Sequence, residues 1–224
     1  MSKKQKMRKV PFEKGEFYHI YNRGTDKRII FNDKYDLQRF FQSVSEFNNE
    51  KPIGSIFENS FRKKEGKALG HRMSKLVNFV CYSISPNHYH FILEQLTDNG
   101  IEKFLQKLGN GYTKYFNHKY KRSGVLFQGK FKSIHINNNE YLLHLSVYIN
   151  LNNLIHKTGL GHPMSKSSWE EYKKNCEVNL CQNKNVILGQ FKNKKEYELF
   201  AMKFVKGIIE KREMIKELES CIIE

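Results

Sequence analysis

The sequence predicts an α+β fold, an antiparallel sheet with helices packed on it. Three observations predict it: short aromatic and β-branched runs alternate with segments of helical period, Gly, Pro and Asn punctuate them, and 39% hydrophobic residues with 13% aromatic can fill a core. At 224 residues the chain accommodates one domain of ordinary size and an extension. A charged fraction of 28% suits a soluble surface.

The first ten residues, MSKKQKMRKV, form a basic arm over residues 1–9. Gly15 to Gly24, GEFYHIYNRG, has strand composition and closes on the turn-forming Asn22-Arg23-Gly24. Asp33 then caps a helix carrying Tyr35, Leu37, Phe40, Phe41 and Val44. Residues 51–76 contain Pro, Gly, Ser and seven Lys/Arg without clear periodicity, which reads as a long basic loop. Leu76 to Ser85 and His88 to Gln95 are two strands joined at Pro86-Asn87, a hairpin whose apolar character places it centrally. Ile101, Phe104, Leu105, Leu108, Tyr112, Tyr115 and Phe116 recur at three- and four-residue intervals, a helix that runs through Gly109-Asn110-Gly111. A strand over Gly129 to Ile136 and a helix from Glu140 to a stop at Gly159 complete the order β-α-β-β-α-β-α. That alternation is the ferredoxin-like, split-βαβ class, with the domain proper over residues 10–164. Residues 165–224 form a C-terminal helical extension, with an amphipathic helix from Lys194 to Lys216.

Lys+Arg 39 against Asp+Glu 23 leaves a net charge of +16, the electrostatic footprint of a protein that meets a polyanion, with nucleic acid the leading candidate. No stretch has the run of apolar residues needed to span a membrane, and no apolar core follows the N-terminal charges, so the expectation is a cytoplasmic protein. Cys81, Cys176, Cys181 and Cys221 show neither C-x-x-C pairing nor zinc-finger spacing and read as reduced thiols.

In SPNHYHFILE, period two projects His88 and His90 on one strand face and Tyr89 and Phe91 on the other. Two imidazoles on one face make half a metal site, and taken alone they equally fit surface or hydrogen-bonded histidines. Tyr148 and Asn152, four apart on the expected helix, share a face, which puts a phenol one turn from an amide carbonyl able to coordinate a hard cation. Two imidazoles with one oxygen suit Mn²⁺ or Mg²⁺. Of the other tyrosines, Tyr112 and Tyr115 fit the apolar stripe, Tyr120 in HKYKRSG reads as facing a base or phosphate, and Tyr141 opens a helix. His144, one turn before Tyr148, could assist proton transfer or simply pack. Asn110 to Ser133 holds Lys114, Lys119, Lys121, Arg122, Lys130 and Lys132 with no acid, interleaved with six Phe/Tyr, the mixture that neutralises phosphates and stacks bases. Phe116, Phe127 and Phe131 are expected inside, while Arg23 adds a phosphate contact.

FYHIYNRG, SPNHYHFILE, SGVLFQGKFKS and YINLNN together resemble the single-tyrosine HUH transposases, in particular the REP-associated tyrosine transposase branch, over about Gly15 to Trp169. The resemblance implies an HUH-type domain in which His88 and His90 bind a divalent metal, Asn152 is its third ligand and Tyr148 is the nucleophile. It also implies cleavage and rejoining of single-stranded DNA with hairpin ends, by a monomer or homodimer, through a 5′-phosphotyrosine, with Gln128 joining the DNA-contacting set. Asn153 stands where that family usually has proline. The alternatives are a nucleic-acid-binding protein that keeps the fold without cutting, and a metal hydrolase of small phosphoesters, which would need no basic groove.

Overall fold

In a computed structural model of the chain, residues 11–64, 74–156, 163–174 and 179–222 are described. Their elements are, in order, β1 (Phe17–Arg23), α1 (Lys34–Phe47), α2 (Ile56–Lys64), β2 (Val77–Ser85), β3 (His88–Gln95), α3 (Gly100–Lys119), β4 (Lys132–His135), α4 (Asn139–Asn150), α5 (Asn152–Ile155), β5 (Lys166–Ser167), α6 (Trp169–Lys173), α7 (Asn185–Leu188) and α8 (Lys194–Ile222). The β2–β3 hairpin is the centre, with Val77 opposite Gln95 and Ser85 opposite His88. β1 lies antiparallel on the far side of β3, with β4 beyond it, and β5 pairs with β2, so the sheet runs β4-β1-β3-β2-β5. The central position of β2 follows from its composition, since eight of its nine residues are buried, whereas β4 is short, largely exposed and opens with a lysine, as suits an outer strand.

Period-two alternation divides the core in two. Ile20, Phe79, Ile84, Tyr89, Phe91 and Leu93 pack with Phe40 of α1 and Phe104, Leu108 and Tyr112 of α3. On the other face, Val80, Cys81 and Ile92 pack with Leu142, Leu145 and Ile149 of α4 and Tyr197, Ala201 and Val205 of α8. The segment beyond residue 164 thus supplies a strand to the sheet and a helix to its second layer. Cys81 and Cys181 are buried free thiols.

Local chemistry accounts for the helices. The Asp33 carboxylate accepts from Tyr35 N and Asp36 N and starts α1. α3 runs unbroken through Gly109-Asn110-Gly111 because α1 crosses it there: a Cβ on Gly111 would sit 2.5 Å from the Phe47 ring. Two glycines cost roughly 1 kcal/mol each in a helix, and the close α1–α3 contact offsets that.

Three expectations need correction. The basic loop over 51–76 contains α2, which begins with a capping box: Ser55 Oγ accepts from Glu58 N at 3.1 Å and the Glu58 carboxylate accepts from Ser55 N at 3.0 Å. The helix beginning near Glu140 is interrupted at Leu151 (φ −111°, ψ 21°), which separates α4 from α5. The strand expected over Gly129 to Ile136 is confined to Lys132–His135. The C-terminal helix expected from Lys194 to Lys216 is present and continues to Ile222 as α8. The basic arm, the Gly159 stop and Cys176 lie outside the described residues. Among the described residues, no helix is long and apolar enough to cross a membrane.

Candidate active site

The face of β3 turned away from α1 and α3 carries His88 and His90. Antiparallel register sets Arg23 and Ser85 beside His88, and Tyr21 and Ser83 beside His90, so six polar or aromatic side chains share one end of that face. His19, two residues before Tyr21 on β1, joins them, with its Nε2 3.0 Å from His90 Nδ1. The rings of His19 and Tyr21 stack against His90 at 5.2 and 5.6 Å, and His88 stands perpendicular to His90 at 5.2 Å. Ser83 Oγ and His19 Nδ1 are buried without a hydrogen-bond partner among the described residues.

The Asn87 amide donates through Nδ2 to Lys27 O at 3.0 Å, which turns its oxygen towards His88 Nδ1 at 2.7 Å. An amide oxygen only accepts, so His88 carries its proton on Nδ1 and presents a lone pair at Nε2. A proton on His90 Nδ1, donated to His19 Nε2, leaves His90 Nε2 in the same state. Burial keeps these rings neutral. It pushes His90 down to about 3, assisted by His19, His88 and His156, and His19 down to about 4. His88 is lowered by burial and then by His156 and Arg23. Two neutral imidazoles with their Nδ1 edges engaged are a donor pair that fits a divalent cation. Among the described residues, no group of three or more His, Cys, Asp or Glu side chains is arranged to hold a metal ion.

α4 and α5 bring the second half. Asn150 ties the end of α4 to the C-terminal layer, donating to Tyr197 Oη at 3.1 Å and accepting from Ser168 Oγ. Tyr148 is partly exposed, and its Oη lies 2.8 Å from Nε2 of His156, the solvent-facing residue that ends α5. Arg212 of α8 holds that turn by donating to Ile155 O at 2.9 Å. α4 packs on the sheet face that carries Ile92, two residues along β3 from His90, and Tyr148 packs against that layer, so the Tyr148–His156 pair stands on the histidine side of the sheet in the same chain. Asn152 is buried at the start of α5, past the break at Leu151, so it and Tyr148 belong to two helical segments rather than one. Asn153 Oδ1 is buried with no partner among the described residues. His144 stacks on Phe204 at 4.5 Å, which takes it away from Tyr148.

A solved structure is similar at this point. It is a REP-associated tyrosine transposase bound to a REP hairpin, 14% identical, with a TM-score of 0.49, covering 81% of this chain and 93% of that one. No protein-family model and no curated protein matches the sequence.

The basic residues separate by position. Arg23 reaches Gln128 Oε1 through its Nε, and Lys132 Nζ sits 5.9 Å from the Tyr21 ring, both beside the histidines; Lys130 is exposed two residues before Lys132. Lys121 and Arg122 occupy the turn after α3, where Arg122 donates to Asn117 Oδ1 and Val125 O. Lys119 is held by Asp33 at 2.8 Å and the fully buried Asp36 at 2.7 Å, and these bonds raise its ammonium despite the opposing effect of burial. Lys114 lines a cleft of about 510 Å³ with Arg39, Lys51 and Lys107 against α1, behind the opposite sheet face. Tyr120, expected to face a base or phosphate, instead donates to Asp36 Oδ2 at 2.8 Å. Tyr112 is core, donating to Ile30 O at 2.6 Å, and Phe116 and Phe127 are buried as expected.

Sequence reasoning missed His19 and His156. Alternation within FYHIYNRG puts His19 on the face of Tyr21 and Arg23, but only the β1–β3 pairing brings it to His90, 71 residues away. His156 is eight residues from Tyr148, but the break at Leu151 lies between them, so helical spacing gave no signal for their contact.

Proposed function

We propose that the protein is a metal-dependent transposase of the single-tyrosine HUH type, cleaving and rejoining single-stranded DNA through a 5′-phosphotyrosine. The observation that carries this reading is the gathering, in one chain, of the His88–His90 donor pair and the Tyr148 hydroxyl on the same side of the sheet. The antiparallel β4-β1-β3-β2 order, in which β3 is inserted between β1 and β2, is consistent with a split-βαβ arrangement and supports this reading.

In this reading His88, His90 and Asn152 hold a divalent cation, Mn²⁺ or Mg²⁺, which when bound polarises the scissile phosphate and offsets its developing charge. The chain's own residues do the rest. Asn87 and His19 hold the two imidazoles by their Nδ1 edges, and burial keeps both rings neutral, the state a ligand needs. Arg23 and Lys132, beside the histidines, bind flanking phosphates, with Gln128 orienting the Arg23 guanidinium. Tyr148 Oη attacks phosphorus, and covalent capture conserves the phosphodiester energy, so a later 3′-OH can reverse the step and join strands without ATP. The partner is single-stranded DNA with a hairpin end.

Incubation with Mn²⁺ and a 5′-labelled or 3′-labelled single-stranded hairpin oligonucleotide is expected to give a covalent protein–DNA adduct that retains the 3′-side label, and Tyr148→Phe removes it. An adduct that persists in Tyr148→Phe reassigns the nucleophile. Tight, salt-sensitive DNA binding with no adduct on any substrate replaces this reading with a binding-only protein.

A further inference from the structure

We infer that His156 is a catalytic residue, the base that accepts the Tyr148 phenol proton through Nε2. The inference deepens the strand-transfer reading and rests on it for the identity of the electrophile. Among the described residues Tyr148 Oη has one hydrogen-bond partner, His156 Nε2 at 2.8 Å, with the two rings at 82°. That distance is within reach for direct proton transfer. A phenol ionises with an ordinary pKa near 10, so at neutral pH attack needs an acceptor for its proton, and among the described residues no carboxylate or other imidazole meets this oxygen.

The surroundings of His156 suit the task. Its backbone N–H donates to Asn152 O at 3.1 Å, and partial burial and the Arg212 guanidinium beside it disfavour a positive charge on the ring. Among the described residues the titratable and charged groups that face it are Arg212 from α8, His88 and His90 from β3, and Tyr148 itself from α4. None is an acid that would hold the ring protonated. His156 is also solvent-facing, so its proton can exchange with water between turnovers. The hinge at Leu151 gives the placement its structural cause: it lets α5 fold so that the residue ending it meets a side chain of α4.

The step balances. The phenol O–H bond breaks, its proton passes to His156 Nε2, and the Oη electron pair forms the O–P bond. The P–O3′ bond breaks with its electron pair going to the 3′-oxygen, which takes a proton from water. The hydroxide so formed is neutralised by the proton on His156. On rejoining, the attacking 3′-OH loses its proton to solvent, His156 regains one from solvent at Nε2, and the departing phenolate takes that proton from His156.

Two readouts test this on the full chain. Tyr148 is first labelled with an aryl sulfonyl fluoride in the absence of metal and DNA, with exposed Tyr35 as internal control. His156→Gln, which can still hydrogen-bond the phenol but accepts no proton, is expected to slow Tyr148 labelling ~100-fold while leaving Tyr35 unchanged. An acid inflection is expected in the wild-type rate and is expected to be absent from this variant. His156→Ala is expected to be slow and to recover with added imidazole, which also shows that the variant is folded. Equal Tyr148 labelling in wild type and His156→Gln overturns the inference, as would a purely structural hydrogen bond. The second readout is the rate of adduct formation on hairpin DNA, expected to fall ~100-fold in His156→Gln with unchanged DNA affinity. If wild type labels as expected yet forms no adduct with any single strand, the strand-transfer reading falls while the labelling result still upholds His156 as proton acceptor.

Discussion

Along β3, Tyr89, Phe91 and Leu93 enter a dry aromatic layer beneath α1 and α3, while His88 and His90, displaced by one residue, enter a polar stack with His19 and Tyr21. The first face is built of aromatic packing: Phe91 meets Phe40, Phe79 and Tyr89 at 4.5 to 6.4 Å. The second leaves Ser83 Oγ and His19 Nδ1 buried without partners among the described residues and keeps its imidazoles neutral by burial. Unpaired buried polar atoms beside neutral imidazoles set this end of the sheet apart from the aromatic layer behind it.

Substitutions one residue apart should separate the two faces. Phe91→Ala is expected to cost about 3–5 kcal/mol of unfolding free energy in a urea titration, with the histidine face left intact. His90→Ala should cost less, about 1–3 kcal/mol for the loss of the His19 partner, while removing tight Mn²⁺ binding by calorimetry. Equal destabilisation with metal binding retained in both would erase the distinction.

The faces should also differ in their response to acid. In metal-free protein, His19 and His90 have folded values near 4 and 3, while the unfolded rings titrate near the ordinary 6.5. The unfolded chain therefore binds protons first, so their contribution is complete above about pH 6.5, declines as pH falls towards about 4, and levels off below about 3. Melting temperature followed by circular dichroism should drop across that window, and His90→Ala should flatten the slope. An unchanged slope would mean that the rings are not desolvated.

Two smaller effects sharpen the contrast. Gly111→Ala, which drives a Cβ against Phe47 in the dry layer, should cost about 1–3 kcal/mol without altering DNA affinity. Lys132→Ala should reduce the slope of log affinity against log salt for DNA by about one, whereas Lys119→Ala should leave that slope unchanged, because its ammonium is already committed to Asp33 and Asp36.

The elements most legible in the sequence were those specified by neighbours along the chain. β3 spans the residues expected of it, the Pro86-Asn87 turn joins it to β2, and Asp33 caps α1. α2 was missed although Ser55 and Glu58 form a readable capping box, because exposed Phe57 and Phe61 blur the apolar stripe in a segment otherwise read as loop. The interruption at Leu151 was missed because no glycine or proline marks it.

What these 224 residues specify alone is the sorting of side chains by period: two histidines on one strand face, a phenol on a later helix, and positive charge around both. Those properties come from backbone sterics and composition, which act within a few residues. That His19 meets His90, that Lys119 turns inward to Asp36, and that His156 reaches Tyr148 emerged only when the chain was folded. Each joins segments through strand register, helix crossing or a kink, and these are settled by the packing of the whole core rather than by any local preference.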